Sequence, residues 1–316
     1  MAITIRDLTP ADAEVTAALM SRIEADHPTG FCLGVVEILE IMTNQPRTAF
    51  EGAFDGPTMV AFTTLFCSPA DDDPQRFLVF GDVDPARLGE GLGTDMLTRA
   101  MHRARALHAV EAPDRGTRIA TTALAGREDQ ADLMRAAGLG PGRHSFFMVA
   151  DLTAAPPTPP MPEDVEIAPF DPDTGEELRL AHNAAFADYP DRSDAGAEFW
   201  GSFMVTATHN RPQLTAIARD RTGAVVSYVF AHEYAVPPSG GPGPEIHVPY
   251  VGTLPAHRGR GLATGLLSRV LHASRAAGYV SASLNVDSHN PTGALGIYER
   301  AGFRQSYRQD FYRLDE

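Results

Sequence analysis

The sequence predicts an α/β protein, built as two tandem domains of one mixed-sheet α+β design. Three observations predict it. Alternating strand-like runs are interleaved with amphipathic helix-like runs in both halves. The two halves repeat one element order at a spacing of about 165 residues, far too long for a solenoid period. A segment with five prolines, "TAAPPTPPMPEDV" from Thr153 to Val165, separates them and reads as a stiff, extended linker. The expected division is therefore 1–152, a linker at 153–163, and 164–316.

Each half opens alike. "ITIRDLTPADAEVTAALM" from Ile3 is a short alternating strand, a loop and a helix, and "VEIAPFDPDTGEELRLAHNAAF" from Val165 repeats that order. "QLTAIARDRTGAVVSYVFAHEYAV" from Gln213 reads as a hairpin turning at Asp220 to Gly223. "EIHVPYVGTLP" follows as a further strand, and "SASLNVDS" as another beyond the next helix. Late in each half come a proline, a glycine pair and an amphipathic helix: "VDPARLGEGLGTDMLTRAMHRARAL" from Val83 and "TLPAHRGRGLATGLLSRVLHASRAAG" from Thr253. A helix, an Ala-Gly-apolar break and a final strand close both. Antiparallel strands first and a strand–helix–strand unit last make a mixed sheet flanked by helices.

Composition excludes several classes. At 43% hydrophobic and 21% charged, the 316-residue chain is of ordinary globular type, with no apolar run long enough to span a bilayer. The start lacks the layout of a signal peptide. The two cysteines, Cys32 and Cys67, form neither a disulfide framework nor a spaced metal site, and both thiols are expected to be buried and inert. The cytoplasm is the expected compartment, with no membrane partner and no metal. A formal net charge of −15 argues against nucleic acid and favours, mildly, a cationic substrate, although acidity also simply confers solubility.

The stretch from Pro255 to Gly278 carries the first chemical signal. Gly259 and Gly261 allow backbone to come close to a ligand, Arg258 and Arg260 add positive charge, and a helix starting there contributes unpaired N–H groups. That combination suits phosphate. Gly259, Gly261 and Gly265 also approach a dinucleotide fingerprint. However, an antiparallel hairpin precedes them, and the next strand offers an acid only at Asp287.

With the rest of the second half, the loop resembles the GNAT (Gcn5-related) N-acetyltransferases. Their pyrophosphate loop, Arg/Gln-x-x-Gly-x-Gly/Ala, matches Arg258-Gly259-Arg260-Gly261-Leu262-Ala263. Their late pattern matches "NPTGALGIYERAGF", with Asn290, Ala294, Tyr298, Gly302 and Phe303, and an apolar strand ending in "VGTLP" precedes the loop. The resemblance implies two tandem GNAT domains and acetyl-CoA as acyl donor. The donor would lie along Val251, Gly252, Arg258, Gly259, Arg260, Gly261, Leu262, Ala263, Asn290 and Tyr298. It implies acetyl transfer to the primary amine of a small molecule by direct attack, with a backbone N–H near Val251 polarising the thioester. Tyr298 would protonate the departing thiolate; spacing alone favours an ordinary amphipathic-helix aromatic there.

A base should lie on the strand feeding the loop, where Glu245 and His247 alternate by two and share a face. Mycothiol synthase, a tandem acetyltransferase of this type, carries a glutamate where His247 falls; a packed strand histidine is the alternative reading. "LAHNAAFADYPDRSDAGAEFW" resembles the acceptor wall of that enzyme type, and Asp188, Tyr189, Asp191 and Asp194 could meet a cationic acceptor or form a solvated acidic loop. Trp200 is expected to anchor a core or line a pocket. In the first half Leu88 stands for Arg258, Glu90 for Arg260, Gly126 for Asn290 and Met134 for Tyr298. That domain is expected to be a structural partner, with "HPTGFCLGVVEILEIM" as wall, or a binder of CoA without catalysis. The expected protein is an N-acetyltransferase acting from its second half; the alternatives are a mycothiol synthase-like enzyme and a noncatalytic acyl-CoA-binding regulator. A monomer is plausible.

Overall fold

Prolines start several helical segments. Pro10, Pro85, Pro172 and Pro255 each open a short 3-10 turn, where the absent N–H would have had no partner and φ is preset. The computed structural model describes residues 3–29, 32–154, 157, 159–189, 194–288 and 293–316. The first half runs β1 (Ile3–Asp7), α1 (Ala13–Asp26), α2 (Val35–Asn44), β2 (Thr48–Asp55), β3 (Thr58–Cys67), β4 (Gln75–Val83), α3 (Leu92–Glu111), β5 (Thr117–Leu124), α4 (Glu128–Ala136) and β6 (Gly140–Asp151). The second runs β7 (Glu166–Pro169), α5 (Gly175–Phe186), α6 (Ala197–Phe199), β8 (Ala216–Arg219), β9 (Val225–Val229), β10 (Glu245–Val248), β11 (Val251–Thr253), α7 (Leu262–Ala276), β12 (Ser281–Asp287), α8 (Ala294–Arg300) and β13 (Arg304–Asp315). A π-helical stretch, Trp200–Val205, continues α6.

Two compact units emerge, and neither ends at the proline-rich segment. One comprises Met1–Ser145 with Tyr307–Glu316, the other Phe146–Ser306. Each is completed by strand residues from the other half of the sequence. In the first unit the order is β1-β2-β3-β4-β5-β13. β4 and β5 pair in parallel, and the C-terminal strand pairs antiparallel with β5, Gln309 opposite Leu124 through Asp315 opposite Arg118. Tyr312 is thereby buried with Phe77, Ile119 and Met134. The clean alternation of β5, with every second residue buried, fits a sheet covered by helices on one face.

In the second unit β6 lies beside β12, which pairs in parallel with β10. Met148, Ala150 and Leu152 enter a core with Leu266, Val270, Leu284 and Phe303. β11, β9, β8 and β7 form a separate four-stranded sheet in that order. The expected hairpin is β8 with β9, antiparallel around Asp220–Gly223, whose Asp220 side chain accepts from Thr222 N and Ala224 N. All five residues of β9 are buried.

Described residues of the proline-rich segment contact α7 and the loop that opens it. Arg275 donates to Thr153 O (3.4 Å), Ser268 Oγ donates to Pro157 O (2.5 Å), and Arg260 pairs with Asp164. A Cβ at Gly265 would stand 1.7 Å from Met161 Sδ. The third glycine of the apparent dinucleotide pattern thus lets the strap lie against the helix. Trp200 is a core anchor: it is buried, and its indole N–H donates to Gly175 O at 2.8 Å. Cys32 is buried and its thiol is pushed up to about 12 by burial; Cys67 is half-buried and shifted the same way.

Candidate active site in the second unit

A change of sheet creates the site. Residues 245–248 pair in parallel with 281–284 of β12, whereas Val251, Gly252 and Thr253 pair antiparallel with β9. Pro249, which has no N–H to offer a ladder, stands at the switch with Tyr250. The two strands therefore part, and a wedge opens beyond β10. Phe230 N donates to Tyr250 O and Leu254 N donates to Val226 O, both at 3.0 Å. Even-numbered residues of this strand are thus the ones bonded to β9. Alternation turns the N–H groups of Val251 and Thr253 to the opposite edge, toward the wedge.

The loop after β11 has the backbone its glycines allow. Gly259 and Gly261 have φ of +75° and +80°, a conformation costly for any residue with a Cβ. Gly261 is the N-cap of α7, and the first intrahelical bond runs from Gly265 N to Gly261 O. By helix geometry the N–H groups of Leu262, Ala263 and Thr264 have no intrahelical acceptor, which leaves donors and the positive dipole end at one place.

A cavity of about 540 Å³ opens at this loop. Val251, Gly252, Arg258, Gly259, Gly261, Leu262, Ala263 and Tyr298 line it. The residues that the sequence suggested for the donor are therefore gathered in space, with two qualifications. Arg260 is outside the lining and is bound to Asp164, with His257 Nδ1 3.2 Å away, and Asn290, like Asp191, lies outside the described residues. Sequence reasoning missed His257, Thr264 and Arg300, which also line the cavity. Each lies within a few residues of a quoted motif, so the signal was adjacency to a loop that has to wrap around something. Asp188 and Tyr189, just beyond the end of α5, also line it.

Tyr298, on α8, is only 8% exposed, and its ring meets Phe303 edge-on at 6.2 Å. Burial pushes its phenol well above the ordinary value, and the neighbouring Tyr189 adds to the effect. It is therefore fully protonated at neutral pH. Gly252 faces Tyr228 across the ladder, and the Tyr228 hydroxyl is 2.5 Å from His182 Nδ1.

Glu245 and His247 lie on β10, in register with Ser281 and Ser283, and neither lines the cavity. Glu245 accepts from Ser239 N at 3.2 Å, from Ser239 Oγ, and from Ser281 Oγ at 3.1 Å; it ties down the loop before β10. His247 Nδ1 is 2.9 Å from Ser283 Oγ, and its ring stacks over Phe147 at 6.5 Å. Burial, with His209 adding, pushes its pKa down to about 4, so the imidazole is neutral at pH 7. His232, whose N–H donates to His247 O, is shifted the same way.

The first unit keeps the loop's backbone without its chemistry. Gly89 and Gly91 have φ of +79° and +85°, and Gly91 caps α3 as Gly261 caps α7. Leu88 is exposed, Glu90 is held by Arg87, and Met134 is buried in the core. Two cavities described beside β4 and β5 measure only about 40 and 70 Å³. His27 spans Asp26 and Asp82 there, and Gln130 donates to Asp82.

Among the described residues no group of three metal-binding side chains occurs, and no helix is long and apolar enough to cross a membrane. Residues 176–303 match the family model "Acetyltransferase (GNAT) family". A mycothiol acetyltransferase of Thermobispora bispora is 30% identical over 314 residues, covering 96% of this chain and 97% of that protein. Another, from a Nocardioides species, is 29% identical over 70% of this chain and 74% of its own. Among solved structures, a GCN5-related N-acetyltransferase from Sphaerobacter thermophilus superposes with a TM-score of 0.79 at 23% identity, covering 99% of this chain and 95% of that one. A tandem GNAT protein from the clavulanic acid biosynthesis pathway gives 0.75 at 16% identity, covering 99% and 98%. The parted strands, the glycine loop capping α7 and the full-length relationship agree: the chain belongs to the GNAT acetyltransferases, as an N-acetyltransferase of the tandem type.

Proposed function

We propose that the second unit binds acetyl-CoA in the 540 Å³ cavity and transfers the acetyl group to the primary amine of a small molecule. The observation that carries this reading is the meeting of a helix N-terminus, two glycines at positive φ and a buried, protonated tyrosine around one cavity. Acetyl-CoA supplies a thioester whose carbonyl carbon is open to an amine. The N–H groups from Gly259 to Ala263, at the start of α7, hold its pyrophosphate. The Val251 N–H, turned away from β9, polarises the thioester oxygen. Tyr298 gives its proton to the leaving sulfur. His247 takes the proton released by the amine, through water where the distance requires it. Its imidazole is neutral at pH 7 and so free to accept a proton, but a pKa pushed down to about 4 makes it a weak base; Glu245, held by three hydrogen bonds, is the alternative acceptor. The name that these relatives share favours a mycothiol-type acceptor, a cysteinyl pseudo-disaccharide amine, as the finer reading.

Calorimetric titration with acetyl-CoA tests the donor site, with the parent chain beside Gly261→Glu and Gly91→Glu. One site, abolished only by Gly261→Glu, is expected. Loss with Gly91→Glu instead would move the donor to the first unit and overturn the assignment.

A further inference from the structure

Arg258 is almost fully engaged within the chain. Its Nε donates to Thr253 O at 3.3 Å, Nη1 to Asp188 Oδ2 at 2.5 Å, and Nη2 to both Asp188 Oδ1 at 3.0 Å and Ala185 O at 2.8 Å. A guanidinium has five N–H donors, so these contacts occupy four of them. Ala185 belongs to the last turn of α5, where carbonyls lack intrahelical partners and the dipole end is negative. The guanidinium is therefore a cationic cap on α5, delivered from the loop that opens α7. Just beyond Asp188 comes Tyr189, close enough to Tyr298 to raise its pKa further.

The first unit separates the two jobs this arginine could have. With Leu88 at the equivalent position, the loop keeps its glycine conformations, +79° and +85° against +75° and +80°. The arginine is not needed to shape the phosphate loop. What the second unit has in addition is the fork that joins β11, the loop and the end of α5.

We infer that Arg258 is a positioning residue: it fastens the end of α5, with Asp188 and Tyr189, as the wall of the cavity facing Tyr298. The functional meaning rests on the donor-site reading above, but the clamp itself is a property of the chain without ligand. Lysine keeps the charge yet cannot serve four acceptors at once. Hydrogen exchange of the full-length protein, compared with Arg258→Lys and Asp188→Ala, is the test. Both variants should exchange at least threefold faster in peptides covering 182–189, with α7 unchanged. Arg258→Lys should bind acetyl-CoA within about twofold of the parent. With a cysteinyl pseudo-disaccharide as probe acceptor, KM should rise at least fivefold while kcat stays within about twofold. Unchanged exchange at 182–189 in both variants would overturn the inference. So would a loss of acetyl-CoA affinity above tenfold in Arg258→Lys with exchange unaltered, which would make the arginine a phosphate ligand. Absence of acetyl-CoA binding in the parent would sink the donor reading alone, because the exchange data still judge the clamp.

Discussion

Gly252→Ala should damage the second unit out of proportion to one methyl group. The two residues are direct cross-strand partners, and an added Cβ would stand 2.4 Å from Tyr228 Cε1, 2.5 Å from Cζ and 2.7 Å from Oη. Ordinary carbon contacts are about 3.5–4.0 Å, so the ring has to retreat by about 1 Å. It has little room to do so. Tyr228 is fully buried, packs edge-on against Phe230 at 5.6 Å, and holds His182 through its hydroxyl. Overpacking costs about 1–3 kcal/mol, and breaking the buried Tyr228–His182 bond adds about 1–3 kcal/mol more. A loss of about 2–6 kcal/mol follows, which for a unit of this size lowers Tm by roughly 4–24 °C. Urea and thermal unfolding followed by circular dichroism measure it. Adding Tyr228→Leu, which removes the obstructing ring, should recover part of the loss and give a coupling energy of about 1 kcal/mol or more. A Gly252→Ala protein within 0.5 kcal/mol of the parent, or strict additivity in the cycle, would refute the reasoning.

Two further outcomes are expected. Tyr298→Phe should lower kcat by about 10²–10⁴ while acetyl-CoA affinity stays within about threefold, measured by release of the CoA thiol and by calorimetry; a kcat within fivefold of the parent would remove Tyr298 as the proton donor. His247 should make the fold acid-labile over a defined window. Its pKa is about 4 in the fold against 6.5 in the free chain, so between those values the unfolded state binds more protons and stability falls as pH drops. The contribution is absent above pH 6.5 and amounts to about 3 kcal/mol below pH 4. His247→Gln should flatten the fall in urea midpoint across that range. Parallel curves for the two proteins would show that His247 is not the group responsible.

Several features were legible in the residues themselves. Gly259 and Gly261 imply positive φ because no other residue adopts it cheaply, and both have it. The hairpin at Asp220–Gly223 and the order of strand, loop and helix follow from local chemistry, namely turn residues, alternation and helical period. The proline-rich segment was visible as extended, but its berth was not. That Gly265 is vacant for Met161 depends on two residues about a hundred positions apart, which local pattern does not relate. The same holds for the cavity wall. His257 and Arg300 carry no motif of their own and line the cavity only because the loop and α8 converge there.

By itself, then, the sequence determined a duplicated α/β chain, a glycine loop able to hold phosphate at a helix start, and a second half that alone retains the arginines and the tyrosine. Each of these depends on residue type and short-range spacing. Only the tertiary structure decided which strands complete which unit, since Tyr312 and Met148 are buried by partners from the other half of the chain. It also decided that Arg258 is spent on α5 and Arg260 on Asp164, and that Glu245 is tied to Ser239 and Ser281. A side chain's role depends on which hydrogen-bond partners reach it first. For these residues the partners just named are 6 to 96 positions away in the sequence, brought within hydrogen-bond distance by the fold alone.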